Sequence, residues 1–333
     1  SGLLEPGALY GFGVGLYSSV GGTLNFGQNP SFSVNESSVG TYSDDSGKGL
    51  FKYPPPSGYL ALCEDNLPRP EIKDPSKYFI PKLYTGRGGS ANGYSRSING
   101  LGFKPDMVWI KKRSESGNHR ILDSVRGPTK EVFPNLSNGE STFTGLASFD
   151  DDGFTMMTAN TNYNLNARDY VAWCWKAGGN KDTFNINDVG YPSTQSAGIV
   201  EGTRPLTGAS INRESGFSIV TYTGNATNNA SVGHGLNKEV KFMITKSRNT
   251  SDNWVVHTDV TGAQTYSFLN TPDGFNSDSV PTPTSSVFYR GTANTINGNN
   301  LPYVSYCWAE IEGYSRFGRY KATEDVNGPF INC

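Results

Sequence analysis

Two nearly identical hexapeptides, YVAWCW at residues 170–175 and YVSYCW at residues 303–308, constrain the fold more than any other feature of the sequence. They lie at an offset of 133 residues (170 to 303). Three further pairs of segments match in the same order: LYTG (83–86) with TYTG (221–224), MVWIKKR (107–113) with KFMITKS (241–247), and TANTN (158–162) with TANTI (292–296). We interpret this shared order as an internal duplication.

Each hexapeptide has the two-residue period of a β-strand. Val171, Trp173 and Trp175 project to one face, and the residues between them project to the other. A strand with one large aromatic face and one mostly small face suits burial between two sheets. The sequence therefore predicts an all-β fold of tandem β-sandwich (jelly-roll or lectin-like) repeats, with each hexapeptide as a core strand. The five tryptophans are expected in the core, although aromatic rings can also stack on sugars.

The composition agrees with short strands joined by tight turns. The chain of 333 residues contains 40 Gly, 18 Tyr and 18 Phe, and only 17% of it is charged. Aromatic side chains fill pleated faces, while Gly accepts a positive φ in turns. We expect the following segments: 1–70, short strands and a proline-rich connector; 71–177, repeat 1; 178–215, a polar linker or insertion; 216–312, repeat 2; 313–333, the start of a third unit or a tail.

Charge and hydropathy exclude several classes of partner. The chain has 28 basic and 30 acidic residues, so its net charge of −2 provides no polybasic surface for nucleic acid. No apolar stretch approaches about 20 residues, so we expect no membrane insertion. The first residues lack the basic end and unbroken apolar core of a signal peptide.

The residue types that carry chemistry are sparse. Cys174 and Cys307 occupy equivalent places in the hexapeptides and are expected to be buried small hydrophobic residues rather than a disulfide. The three histidines lie in no motif for metal-dependent or nucleophilic catalysis. The acidic runs SDDSG (43–47) and FDDDGF (149–154) favour turns over calcium sites. We therefore expect no cofactor, no metal and no catalytic residue. A pair of carboxylates for glycoside hydrolysis is set by the fold, and the sequence leaves it open.

An Asn-rich loop precedes each hexapeptide, NTNYNLNARD (160–169) in the first copy and NTINGNN (294–300) in the second. Such a loop leads directly into a rigid strand, as binding loops often do. Asn amides can bind sugar hydroxyls, and a tyrosine ring can stack on a sugar. The candidate ligand-binding residues are Asn162, Tyr163, Asn164, Asn297 and Asn299. The alternative is that Asn supplies only turn geometry.

Four segments resemble the repeated domains of bacteriophage tail and appendage proteins: FKPDMVWIKKRSESGNHRILDSVRG (103–127), SGFSIVTYTGN…ASVGHGL (215–236), NLPYVSYCWAEIEGYSRFGRY (300–320) and VNGPFI (326–331). Residues 22–72, within the predicted 1–70 segment and just beyond it, resemble the end of a SPRY-like sandwich that precedes such repeats. One departure is GLNKEV (235–240), which lacks the proline found at Pro105 in the first copy.

The resemblance implies a non-enzymatic virion structural protein, a tail fibre or appendage that contributes to host-surface attachment. It also implies a homo-oligomer, most plausibly a trimer, in contact with other phage tail or virion proteins and with a host cell-surface glycan. The alternatives are a carbohydrate-active, tailspike-like enzyme and a capsid-decorating fibre.

Overall fold

A computed structural model describes residues 42–51, 53–61, 63–67, 70–88, 95–142, 145–157, 161–260 and 264–322. The chain divides into two compact units, residues 1–70 with 322–333 and residues 71–321. Nearly all of the regular structure is β-strand, so the predicted all-β fold is confirmed. In the part of the chain that the structure describes, no helix is long and apolar enough to cross a membrane.

The described part of the first unit has little regular structure. Tyr42 and Phe51 form an isolated antiparallel bridge, and a single 3-10 turn spans Glu64–Asn66. The carboxylate of Asp44 accepts hydrogen bonds from the backbone N–H groups of Ala61 (2.7 Å) and Lys48 (2.8 Å). Asp44 therefore organises this turn-rich segment, as predicted for the acidic run. The SPRY-like resemblance covers residues 22–72, of which residues 22–41 lie outside the described residues.

The second unit begins with a 3-10 turn at Pro75–Lys77 and nine strands. The strands are β1 (Phe79–Thr85), β2 (Arg96–Asn99), β3 (Met107–Lys112), β4 (Arg120–Asp123), β5 (Gly127–Val132), β6 (Ser141–Thr142), β7 (Leu146–Asp150), β8 (Gly153–Met156) and β9 (Asp169–Trp175). A helical turn, α1 (Thr161–Asn164), precedes β9. Six of the strands form one sheet in the order β1-β9-β3-β4-β5-β6, and β2-β8-β7 form a smaller sheet.

The rest of the unit follows a similar plan. Its elements are β10 (Phe184–Ile186), β11 (Val189–Tyr191), β12 (Leu206–Asn212), β13 (Phe217–Thr223), β14 (Ala230–Gly233), β15 (Val240–Ser247), β16 (Val255–Thr258), β17 (Thr265–Phe268), β18 (Asn276–Ser277), β19 (Val287–Arg290), α2 (Asn294–Asn297) and β20 (Pro302–Ala309). Nine strands form a sheet in the order β11-β10-β12-β13-β20-β15-β16-β17-β18, and β14 pairs with β19.

The two hexapeptide strands, β9 and β20, lie in corresponding places in the two large sheets. Trp175 on β9 lies opposite Phe79 on β1 and Met107 on β3, and Trp308 on β20 has corresponding partners on β13 and β15. In both sheets the first tyrosine of the hexapeptide stacks on a tyrosine of the preceding paired strand, at 5.0 Å in the first half and 5.2 Å in the second. Descent of the two halves from one duplicated sequence stays an interpretation.

Three apolar cores hold the unit together. The first contains residues of the six-stranded sheet and of β2-β8-β7, including Leu122 and Phe154. The second contains residues of the nine-stranded sheet and of β14-β19, including Val232 and Phe288. The third joins the two large sheets, because it contains Met107 and Ile121 of the first half with Trp254, Val304 and Tyr306 of the second.

A buried polar network also joins the two halves. The Arg126 guanidinium contacts the Asp123 carboxylate at 2.6 Å and the Glu140 carboxylate at 3.1 Å. The Tyr306 hydroxyl donates to Asp123 Oδ2 at 2.7 Å, and Arg248 contacts Glu140 at 2.9 Å. The Arg126 and Asp123 side chains are fully buried, where charges need such partners, whereas Arg248 and Glu140 are partly exposed. Both halves thus supply members of one satisfied network.

The segment 178–215, predicted as a polar linker or insertion, contains regular structure. It supplies the β10–β11 hairpin and β12 to the nine-stranded sheet, and Phe184, Ile186 and Ile211 are buried in its core. Its few apolar residues are concentrated in short strands, so the mostly polar composition of the whole segment did not indicate these strands. In the 313–333 segment, Phe317 stacks on Phe242 at 5.4 Å. Residues 323–333, on which the prediction of a third unit also depends, lie outside the described residues.

Candidate binding site

The structure places Tyr163 in the core rather than on a loop tip. Its side chain is fully buried, its hydroxyl donates to the Glu131 carboxylate, and the Arg120 guanidinium lies 5.4 Å from the ring centre. Burial raises the pKa of Tyr163 well above its usual value, and the nearby Glu131 carboxylate adds to this. The ring therefore has no free face for a sugar, and its role as a stacking surface is corrected to a structural one.

Asn164 and Asn297 are also buried, and their amides support backbone turns. The Asn164 Oδ1 accepts a hydrogen bond from the N–H of Arg87 (3.0 Å), and the Asn297 Oδ1 accepts one from the N–H of Asn225 (3.0 Å). The Asn297 Nδ2 donates to the carbonyl oxygens of Thr227 and Gly291, each at 2.9 Å. These two asparagines supply turn geometry, which was the alternative interpretation of the loops.

The remaining candidates in these loops are Asn162, which is half-buried, and Asn299, which is exposed. Neither lies at a described cavity. That they contact a ligand stays a prediction.

The tryptophans are distributed between the core and its margins. Trp254 is fully buried, and its Nε1 donates to the carbonyl oxygen of Phe133 at 2.7 Å. Trp175 and Trp308 are half-buried where the large sheets meet, with ring centres 6.4 Å apart. Trp109 and Trp173 are half-buried and edge-to-face at 6.1 Å. Cys174 and Cys307 are buried free thiols, and burial raises the pKa of the Cys307 thiol to about 12.

Two of the histidines are buried with local partners. His234 Nδ1 accepts from the N–H of Leu236 at 3.3 Å, and its Nε2 lies 3.1 Å from the carbonyl oxygen of Thr284. His257 Nε2 lies 3.1 Å from Asp278 Oδ2. Burial lowers the pKa of each imidazole to about 4, so both rings are neutral near pH 7. Such groups fit structural roles.

The second acidic run also acts within turns. Asp152 accepts hydrogen bonds from the N–H groups of Gly102 (2.6 Å) and Gly100 (2.9 Å), which lower the pKa of its carboxyl. Asp150 accepts from the hydroxyls of Ser148 and Thr155. Within the described ranges, no group of three or more His, Cys, Asp or Glu side chains is placed to hold a metal ion.

A polar cleft of about 330 Å³ lies where the two halves of the second unit meet. Its lining is almost entirely hydroxyl, amide and carboxylate groups: Ser124, Val125, Asn180, Asp182, Thr183, Asn185, Thr207 and Gly208. Ser124 and Val125 come from the β4–β5 turn, and the others come from the segment 178–215. We name it the junction cleft. None of its residues was predicted as a site residue.

Three buried side chains fix the loop that forms one wall of the junction cleft. The Asp106 Oδ2 accepts from the N–H groups of Ala177 (2.7 Å) and Gly179 (3.1 Å). Ser210 Oγ accepts from the N–H of Gly178 (2.9 Å). Asn185 Oδ1 accepts from the N–H groups of the two residues after Asn180, at 2.7 Å and 2.9 Å. The backbone on both sides of Asn180 is therefore anchored.

Another part of the junction cleft is lined by Thr207 and Gly208, at an irregularity in β12. The pairing of β12 with β13 shifts between Leu206 and Gly208, so Thr207 is an extra residue in the strand. Such bulges re-aim side chains and are common next to functional sites. A Cβ atom on Gly208 would come within 3.1 Å of Val125 Cγ1, so a larger residue would crowd this part of the cleft. The sequence signal was Gly178-Gly179-Asn180, a turn directly after a core strand.

A second cavity, of about 270 Å³, is lined by Glu71, Ile72, Lys73, Asp74, Lys77, Tyr78 and Glu214. The Tyr78 hydroxyl donates to Glu214 Oε2 at 2.6 Å. The ion pair with Lys238 lowers the pKa of Glu71, and the hydrogen bonds from Ser76 lower that of Asp74. Both carboxyls are therefore stabilised in their ionised form.

Comparison with known proteins gives one match. A family model described as "Domain of unknown function (DUF7483)" matches residues 74–333. No curated protein and no solved structure matches the chain.

Proposed function

The chain belongs to the DUF7483 family, and from that premise we propose that it is a non-enzymatic structural protein of a bacteriophage virion. In this proposal it forms part of a tail fibre or appendage and contributes to attachment to the host surface. The resemblance of residues 103–127, 215–236 and 300–320 to phage appendage domains supports this assignment.

One structural observation carries the proposal. The two large sheets share the order of their central strands, and a continuous apolar core and a charged network join them. A paired β-structure of this kind is rigid, and rigid scaffolds hold surface loops in place for recognition. The chain thus has the properties that a particle appendage needs.

The test is the composition of the particle. Purified virions from a lysate that expresses the gene are examined by mass spectrometry and by electron microscopy with a gold-labelled antibody against the chain. We expect the chain among the virion proteins and label on the tail or a surface appendage. Particles that contain their other structural proteins but lack this chain would overturn the proposal.

The proposed appendage is a homo-oligomer, with a trimer as the expected state. Light scattering coupled to size-exclusion chromatography measures the mass of the full chain in solution. A mass near three times 36.0 kDa is expected. A stable monomer at micromolar concentration would contradict this part of the proposal.

A second candidate function is a carbohydrate-active enzyme, because three carboxylates line the second cavity. Glycoside hydrolysis needs one carboxyl with a raised pKa as the acid. The pKa values of Glu71 and Asp74 are lowered instead, which favours the non-enzymatic proposal. Incubation with host envelope polysaccharide tests the alternative. New reducing ends that disappear in Glu214→Gln would support the enzyme.

A further inference from the structure

We propose that the junction cleft is a binding site for a neutral saccharide, such as a terminal sugar or short branch of a surface polysaccharide. This inference rests on the proposed role in host attachment, which it deepens by naming the ligand and its site. It depends on three features of the cleft, namely the polar groups of its lining, the charge of that lining and its preformed wall.

The lining matches the chemistry of a sugar. Asn180, Asp182, Thr183 and Thr207 are exposed at the cleft. The side chains of Asn180 and Thr183 form no hydrogen bond with the described part of the chain. An amide both donates and accepts, a hydroxyl does the same, and a carboxylate accepts from two hydroxyls. This set can pair with neighbouring sugar hydroxyls, which also donate and accept.

The charge of the lining selects among polar ligands. Asp182 is its one carboxylate, and the lining contains no lysine or arginine. A phosphate or a sulfated sugar would lie near this carboxylate without a cationic partner, which disfavours anions. A polyhydroxylated neutral ligand needs no compensating charge. The volume of about 330 Å³ is near the lower end of the usual range for small-molecule sites.

The wall of the cleft is held in place before any ligand binds, at a cost to the fold. Asp106 is fully buried, and no cation pairs with its carboxylate in the described structure. Burial raises the pKa of this carboxyl, which shows that the charged form is disfavoured there. Its carboxylate accepts hydrogen bonds from Ser124 Oγ and from the N–H groups of Ala177 and Gly179.

The Asp106 carboxylate therefore anchors two of the segments around the cleft, the β4–β5 turn through Ser124 and the loop before Asn180 through Ala177 and Gly179. A preformed loop loses less conformational freedom when a ligand binds, so its polar groups contribute more to affinity. The burial of this polar group is accounted for if the loop must keep this one shape.

The experiment uses the full chain on a microarray of bacterial surface polysaccharides and their neutral oligosaccharide fragments. The cleft variants are Asn180→Ala with Asp182→Asn, and separately Thr183→Trp, which fills the cleft without removing a described hydrogen bond. The matched control carries Asn276→Ala with Asp151→Asn, two exposed residues far from the cleft in sequence. Circular dichroism and thermal melting verify that every variant is folded.

We expect the wild-type chain to bind at least one neutral saccharide and both cleft variants to bind it about tenfold more weakly or worse. The control is expected to bind as the wild type does, and about 0.5 M NaCl should have little effect because the ligand is neutral. Three results would overturn the inference: no neutral saccharide bound by the wild type, unchanged binding by both cleft variants, or binding abolished by salt.

The same variants separate this inference from the proposed function. Wild-type chain should compete with phage for adsorption to host cells, and the cleft variants should compete less well. If the chain is a virion protein and all variants compete equally, only the assignment of the cleft fails. If virions lack the chain while the saccharide result holds, only the virion assignment fails.

Discussion

At the residue scale, buried side-chain amides and imidazoles hold turns and loops in place through hydrogen bonds that the sequence alone does not indicate. Asn297 is fully buried, and its side-chain amide makes three hydrogen bonds with backbone groups. Asn299, two residues later, is exposed. Substitution of Asn297 therefore tests the buried amide, and the same substitution at Asn299 is its control in the same loop.

The first prediction concerns this pair. Asn297→Ala should lower the free energy of unfolding by about 2–3 kcal/mol, because it leaves buried backbone groups without partners. Asn299→Ala should change it by less than about 0.5 kcal/mol. Urea denaturation of both variants measures the difference. Equal stability of the two variants would show that the Asn297 amide has no structural role.

The second prediction concerns pH. His234 and His257 have pKa values near 4 in the folded chain, below their usual 6.5, so only the unfolded chain takes up protons readily between these values. Stability should therefore fall as the pH falls from 6.5 towards 4, by up to about 3 kcal/mol for each histidine. Urea denaturation at several pH values measures this slope.

The matched variant is His234→Gln with His257→Gln, which removes both titrating groups. Its stability should depend less on pH between 6.5 and 4 than that of the wild type. An unchanged slope in the double variant would assign the acid sensitivity to other groups.

The sequence could not reveal the burial of Tyr163. It lies in an Asn-rich segment with the composition of a surface loop, and the Glu131 and Arg120 groups that enclose it come from distant strands. Burial of this kind depends on tertiary contacts, whereas composition reports only local preference. The Asn164 and Asn297 amides were open to both interpretations for the same reason.

At the element scale, the hexapeptide strands were predictable and the segment between the copies was not. The two-residue period of YVAWCW predicts which side chains share a face of the strand. In the structure Tyr170, Ala172 and Cys174 face the first core, while Trp175 faces the core that joins the two halves. In the segment 178–215, β10 has only three residues and β12 reads LTGASIN, so neither shows a long alternating pattern.

The third prediction tests whether β12 is an integral strand. Ile211 is fully buried on β12, whereas Val189 on β11 is half exposed. Ile211→Ala should lower the free energy of unfolding by about 2–5 kcal/mol, and Val189→Ala should have little effect. Thermal and urea denaturation measure both. A neutral Ile211→Ala would return this segment to the predicted role of a linker.

At the scale of the whole unit, the two halves should unfold together. The ring of Trp175 in the first half contacts the rings of Phe217 and Trp308 in the second, with ring centres 6.3 Å and 6.4 Å apart. The sequence predicted two tandem units, but it could not show this contact, since each strand pattern specifies a buried face without specifying its partner.

The fourth prediction follows from this contact. Trp308→Ala should destabilise the chain by about 2–4 kcal/mol, somewhat less than for a fully buried tryptophan, because the ring is half-buried. Hydrogen exchange should show lost protection in β3 and β9 as well as in β13 and β20. Loss confined to the second half would show that the halves are independent. Trp173→Ala, at the margin of the first sheet, is the matched control.

The shared core and the network of Arg126, Glu140 and Arg248 have a consequence for how such genes can exchange sequence. A recombination event between codons 177 and 178 would combine a first half and a second half whose sheets and charged residues evolved in different proteins. It would also take Asp106 and the loop that it anchors from different genes. We therefore expect residues 71–321 to be the smallest segment that related genes exchange without loss of folding. Substitutions at the exposed positions of the junction cleft can instead accumulate one at a time within it.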